Sequence, residues 1–198
     1  MDIEDGVEAV RAARRYAEAE SKGGTPGYST DKANRPQWFT EKKGVFVTIS
    51  EYPSGDLRGC IGYPEPVLPF GDALRMSAVA ACHDPRFVDL TYKEALNCTF
   101  EVTILSVPKK IEFRTPEELI SKIEIGRDGL ILSYKGRRGL LLPQVPVEWG
   151  WDVEEYLDHL SMKAGLRPGS WKEPGVTIDS FNGEIFSETS PRGEVVRK

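Results

Sequence analysis

No stretch of this 198-residue sequence approaches the roughly 20 apolar residues that a membrane-spanning helix needs. The opening MDIEDGVEAV is acidic and lacks the basic start and apolar core of a secretory signal, so a cytoplasmic protein is expected. Cysteine is scarce. Three residues without framework spacing fit a reduced compartment better than a disulfide scaffold. Histidine is scarcer: only His83 and His159 occur, which excludes a histidine-rich metal centre, and any Ser-His-Asp triad would have to use one of them. An excess of positive charge is missing too. There are 26 Lys and Arg against 31 Asp and Glu, a net charge of −5, which disfavours nucleic acid as a partner. GxxxxGK[ST], GxGxxG, CxxC, HExxH and GxSxG are all absent. What is present is an ordinary globular composition, with 39% hydrophobic and 29% charged residues. The length suits one domain or two small lobes. An enzyme, a small-ligand binder and a protein-interaction module all survive.

Hydrophobic spacing predicts a first helix from about Ile3 to Glu20, with Ile3, Val7, Val10 and Ala17 as its apolar stripe. Residues 21–36 are turn-rich and polar, and read as a loop. Residues 45–52 and 57–62 read as strands, 70–83 as an Ala-rich buried helix, and 97–107 as a cleanly alternating strand with Cys98, Phe100, Val102 and Ile104 on one face. Residues 44–108 therefore spell a β-β-α-β lobe, leaving 1–43 and 109–198 to a second α+β lobe. In that second part, Thr115 and Pro116 open a short helix, 126–143 is a strand meander, and one long helix spans about Val147 to Ala164, with Gly165 at its end. A last strand pair is expected in 176–188, followed by a frayed tail.

The chemistry-bearing candidates centre on LRGCIG, residues 57–62. Alternation places Leu57, Gly59 and Ile61 on one face, and Arg58, Cys60 and Gly62 on the other. A glycine-flanked thiol beside Arg58 would have a lowered pKa and act as nucleophile or redox centre. Backbone N–H groups around Gly59 and Gly62 would hold an anion. Against this, cysteine commonly packs as a small hydrophobe. His83 would be a base for Cys60 if the fold joins them, or merely a helix-end histidine. Asp84 and Arg86 would form an ion pair, or Arg86 would bind a carboxylate or phosphate. Glu101, between Thr99 and Thr103, would be a general base or a solvated strand residue. Arg137 and Arg138 read as a turn that would contact phosphate or simply face solvent. Trp149 and Trp151 would stack on a planar ligand, although core anchoring by Trp149 is the stronger expectation.

LRGCIG, DPRF at 84–87, EVTILS at 101–106, GLLLPQV at 139–145, KAGL at 163–166 and Trp171 resemble the AMMECR family, in order and spacing over about residues 44–188. The family takes its name from the Alport syndrome, mental retardation, midface hypoplasia and elliptocytosis candidate region. The hexapeptide is that family's hallmark, and the length resembles its single-domain archaeal and bacterial type. The resemblance implies an α+β fold of two unequal lobes, each a mainly antiparallel sheet with helices, and a cleft near the hexapeptide. It implies no established activity or cofactor: the roles suggested for the family run from a metabolic enzyme to a factor in transcription, replication, repair or translation. It implies a functional link to Memo-like and radical-SAM proteins. Its motif residues here are Arg58, Gly59, Cys60, Gly62, Asp84, Arg86, Glu101, Gln144 and Lys163. Neither histidine belongs to the pattern, which sets a Cys60–His83 dyad aside.

Two readings follow. In one, Cys60 is a catalytic or redox thiol in the cleft, Glu101 moves a proton, and Arg58, Gly59, Gly62, Asp84, Arg86, Gln144 and Lys163 hold the substrate. In the other, the same surface is a non-catalytic site for a small ligand or partner protein.

Overall fold

A computed structural model describes residues 1–24 and 37–198. The helices are α1 (Ile3–Ser21), α2 (Phe70–Cys82), α3 (Tyr92–Asn97), α4 (Pro116–Lys122), α5 (Gln144–Trp149) and α6 (Val153–Lys163). The strands are β1 (Gly44–Glu51), β2 (Leu57–Tyr63), β3 (Cys98–Leu105), β4 (Lys109–Lys110), β5 (Gly129–Tyr134), β6 (Arg137–Leu141), β7 (Thr177–Phe181), β8 (Gly183–Glu188) and β9 (Val195–Arg197). Met1–Leu105 and Glu184–Lys198 form one compact unit, and Ser106–Gly183 a second. The fold is α+β, as the sequence predicts. Among the described residues no helix is long and apolar enough to cross a membrane.

The first unit holds a five-stranded sheet in the order β2-β1-β3-β8-β9. Val45, Val47 and Ile49 of β1 and Cys98, Phe100, Val102 and Ile104 of β3 point to one face and are buried there, as period-two alternation requires. Helices α1 and α2 supply most of the rest of that core, with Phe39, Leu90, Ala95, Phe186 and Val195. The expected grouping of residues 1–43 with the second lobe is therefore corrected: α1 packs on the first sheet. Its buried face is Ala9, Val10, Ala12, Ala13, Tyr16 and Ala17, whereas Ile3 is exposed. Alanine, not bulk, is what lets α1 and α2 approach closely. The predicted loop at residues 21–36 falls largely on residues outside the described set.

A charged pair, Arg14 and Glu188, is buried among these apolar residues. The Arg14 guanidinium donates to both carboxylate oxygens of Glu188, through Nε at 2.8 Å and through one terminal nitrogen. It also donates to the carbonyls of Ala95 at 3.0 Å and Cys98 at 2.7 Å. Glu188 in turn accepts the Phe100 N–H at 3.1 Å. Helix α1, the start of β3 and the end of β8 meet at this one pair.

The second unit holds a four-stranded sheet in the order β4-β7-β5-β6. Leu130, Leu132, Leu157, Leu160, Trp171 and Ile178 are buried in its core. The single helix predicted for 147–164 is two. Gly150 takes a left-handed conformation (φ 66°) that ends α5, and Asp152 opens α6 with a reciprocal capping box to Glu155. The predicted strand pair at 176–188 exists as strands but not as a pair, since β7 joins the second sheet and β8 the first. The tail is not frayed: β9 pairs with β8, with Val195 opposite Glu188.

Replacing Glu188 by Gln, or Arg14 by Met, removes one partner and leaves the other buried. Urea unfolding is expected to show a loss of about 3–5 kcal/mol for each. The double replacement is expected to lose much less than the sum of the two.

Candidate functional site

The hexapeptide is strand β2, at the edge of the first sheet. Its register against β1 sets Val47 opposite Ile61, Thr48 opposite Cys60 and Ile49 opposite Gly59, then slips so that Ser50 faces Leu57. Arg58 is the extra residue of this bulge, with no residue opposite it. A bulge re-aims a side chain, and the shared face expected for Arg58 and Cys60 is overturned by it. Arg58 is only 5% exposed, and its guanidinium reaches α3. It donates to Glu94 at 3.3–3.4 Å and to the Asp89 carbonyl at 3.2 Å. Leu57, assigned by alternation to the face of Gly59 and Ile61, is exposed, and Ile61 is partly buried against the core.

Cys60 faces the other way, toward Thr48, whose hydroxyl donates to its sulfur at 3.2 Å. Across β1, Thr48 is opposite Glu101 of β3. Cys60, Thr48 and Glu101 thus form a row over three strands. At about 4.8 Å between strands, the thiol and the carboxylate are separated by roughly 10 Å of sheet. The Glu101 carboxylate is occupied by Lys198 at 2.6 Å. A direct proton transfer between Glu101 and Cys60 is not what this spacing supports.

Both glycines have packing neighbours where a ligand would need open space. A Cβ on Gly59 would lie 2.2 Å from the Ala81 carbonyl at the end of α2, and one on Gly62 would meet the Phe46 ring at 2.4 Å. Asp84 is buried and fully used. Its carboxylate accepts from Cys60 N–H at 2.9 Å and from Arg86 Nε and terminal nitrogen at 3.0 and 2.6 Å. Arg86 also donates to the Cys60 carbonyl at 3.3 Å. The pair thus supplies, from side chains, the bonds that a neighbouring strand would have made to this edge. The Arg86 guanidinium, together with the N–H groups of Cys60 and Arg86 and against the cost of burial, holds the Asp84 carboxyl well below the usual carboxylate range.

His83 lies between Asp89 and Glu20, each 3.0 Å from one ring nitrogen. Hydrogen bonds that the protonated ring donates to Asp89 first and Glu20 second raise its pKa. Arg137 is not in a turn but begins β6, and donates to the Gly165 carbonyl. Lys135 and Gly136, both with positive φ, make the turn itself. Gln144 and Lys163 belong to the second unit, at the first position of α5 and the last turn of α6, and both are exposed. Trp149, expected to anchor the core, is exposed instead.

The feature the sequence did not announce is a cavity of about 370 Å³ within the first unit. Its lining includes Arg58, Lys93, Glu51, Glu94, Tyr52 and Cys98. Hydrogen bonds from Thr91, then Arg58, hold the Glu94 carboxyl below its usual range. Burial pushes the Cys98 thiol up to about 11, which leaves it a protonated wall. Thr91 and Glu94 form a capping box that starts α3. The T-x-x-E spacing at 91–94 is the signal that would have placed Lys93 and Glu94 on a helix beside the hexapeptide. Among the described residues, no group of three or more His, Cys, Asp or Glu is arranged to hold a metal.

Comparison with known proteins adds an independent line. The AMMECR1 family model matches residues 10–186. Protein MJ0810 of Methanocaldococcus jannaschii is 49% identical, over 100% of this chain and 97% of that protein. A protein of Thermofilum pendens is 44% identical, over 100% and 96%. The crystal structure of the uncharacterized protein PH0010 from Pyrococcus horikoshii superposes with a TM-score of 0.83 at 43% identity, over 100% of this chain and 98% of that one.

A group whose folded pKa is depressed stabilises the fold above its unfolded value and stops doing so as pH falls. The unfolded value for Asp84 is near 3.8. Asp84→Asn is therefore expected to be less stable than the parent by about 2 kcal/mol at pH 7. That gap should begin to shrink as pH falls through about 4 and go on shrinking below about pH 3, toward the depressed folded value, as read by denaturant unfolding across the range.

Proposed function

The chain belongs to the AMMECR1 family, and from that premise we propose that it binds a small ligand in the Arg58 cavity, with the hexapeptide arginine as the anion-holding group. The observation that carries this reading is the burial of Arg58 at the wall of a 370 Å³ cavity, with a second cation, Lys93, beside it. A desolvated guanidinium grips a carboxylate or phosphate far more tightly than an exposed one. Glu51 and Glu94 line the same space, so the complementary ligand carries a donor or cationic group as well as an anionic one. An amino acid or a short peptide end has that chemistry and fits the volume. In exchange for its bond to Glu94, Arg58 takes the ligand's anionic group.

A second reading keeps Cys60 as a nucleophilic or redox thiol. It is favoured by the partial exposure of Cys60 and by the Thr48 hydroxyl on its sulfur. On that reading Arg86, which touches the Cys60 carbonyl, fixes the strand that presents the thiol.

Thermal shift with a panel of amino acids, dipeptides, succinate and inorganic phosphate separates the two. At least one zwitterion is expected to raise the midpoint of the parent and of Cys60→Ala alike. Arg58→Lys and the exposed Lys93→Ala are expected to weaken that ligand by about tenfold or more. A ligand lost in Cys60→Ala but retained in Arg58→Lys would reverse the order. So would fast alkylation of Cys60, in protein lacking Cys82 and Cys98, with a midpoint at or below neutral pH.

A further inference from the structure

We propose that the tryptophan stack of the second unit is a docking surface for an arginine-rich segment of a partner protein. Trp149 is 70% exposed, and Val147, two residues before it in α5, is 58% exposed. The Trp149 ring lies near-parallel to Trp151, with centroids 6.1 Å apart at 17°. Trp151 lies flat on His159, 3.7 Å away at 4°. Three planar rings therefore form one column, with Trp149 the most exposed of them.

The column is held by the backbone rather than by chance rotamers. Gly150 turns the chain in a left-handed conformation. Trp151 N–H donates to the Pro146 carbonyl at 2.9 Å, and the Asp152–Glu155 capping box fixes the start of α6 immediately after. The core of the second unit does not include Trp149. An indole left this exposed on a fixed turn is the kind of residue that dominates binding interfaces.

Charge selects the partner. Residues 147–155, VEWGWDVEE, contain Glu148, Asp152, Glu154 and Glu155 and no Lys or Arg. Lys172 offsets Glu154 at 3.4 Å, and a phosphate backbone would still meet Glu148, Asp152 and Glu155 here. A guanidinium instead stacks flat on an indole face, attracted by the ring and by the surrounding negative charge. Lysine would gain the charge but not the planar contact. Arginine-rich peptide is thus the chemistry this surface fits.

The test uses the full chain, titrated with hexa-arginine, hexa-lysine and an eight-residue oligothymidylate, and followed by tryptophan fluorescence and by calorimetry. Hexa-arginine is expected to bind more tightly than hexa-lysine, with affinity falling as salt rises. Trp149→Ala, an exposed change that leaves the core intact, is expected to weaken it at least about threefold. Glu148→Gln should weaken it further, and Glu4→Gln, on α1, should not. Equal binding of both cationic peptides, unchanged affinity in Trp149→Ala, preference for the oligonucleotide, or no binding at all would each overturn the proposal.

Discussion

The buried pair of Arg14 and Glu188 is the constraint on which the first unit depends. Two charges taken out of water are costly, and here every polar atom around them is used. Arg14 bonds to two main-chain carbonyls as well as to Glu188, and Glu188 bonds to the Phe100 N–H. Such a network tolerates little displacement: shifting α1 along the sheet would leave an unpaired charge among apolar side chains. Helix α1, strand β3 and strand β8 are thereby fixed relative to one another, and β1 and β2 then hang from β3 by main-chain pairing. The position of the hexapeptide is the last term in that chain of dependences.

The hexapeptide itself divides its labour. Gly59 and Gly62 allow close approach, the Cys60 main chain is clamped by Asp84 and Arg86, and Arg58 alone turns into the cavity. A motif that reads as one reactive cluster is thus mostly a packing solution with a single re-aimed cation. The bulge decides this, because a slip of one residue moves a side chain from one face of a sheet to the other.

Local order was largely legible. The alternation of Cys98, Phe100, Val102 and Ile104 placed β3 and its buried face, and the Thr115–Pro116 start placed α4. What was not legible was long-range. Nothing local to Glu188 says that it pairs with a residue 174 positions earlier, so local pattern alone makes β8 a hairpin partner of β7 and β9 a tail. The helix break at Gly150 was masked by apolar spacing that continues through it, although Asp152 and Glu155 mark a new start. The partners of Arg58 depend on a bulge that period-two counting cannot register. Trp149 falls on the apolar stripe of a single helix over 147–164, and the break at Gly150 takes it off that stripe into solvent.

The second unit is inserted between β3 and β8 of the first. During synthesis, β1, β2, β3, α1 and α2 emerge early, yet Glu188 and the two strands that complete their sheet arrive only after residues 106–183 have been made. Until then Arg14 lacks its carboxylate and the far edge of β3 lacks its neighbour. At roughly 5–20 residues per second, that interval is several seconds of incomplete structure on the ribosome. The inserted unit, whose core is its own, has everything it needs to fold during that wait. Completion of the first unit therefore waits for the end of the chain, whereas every residue of the inserted unit has been made before that point.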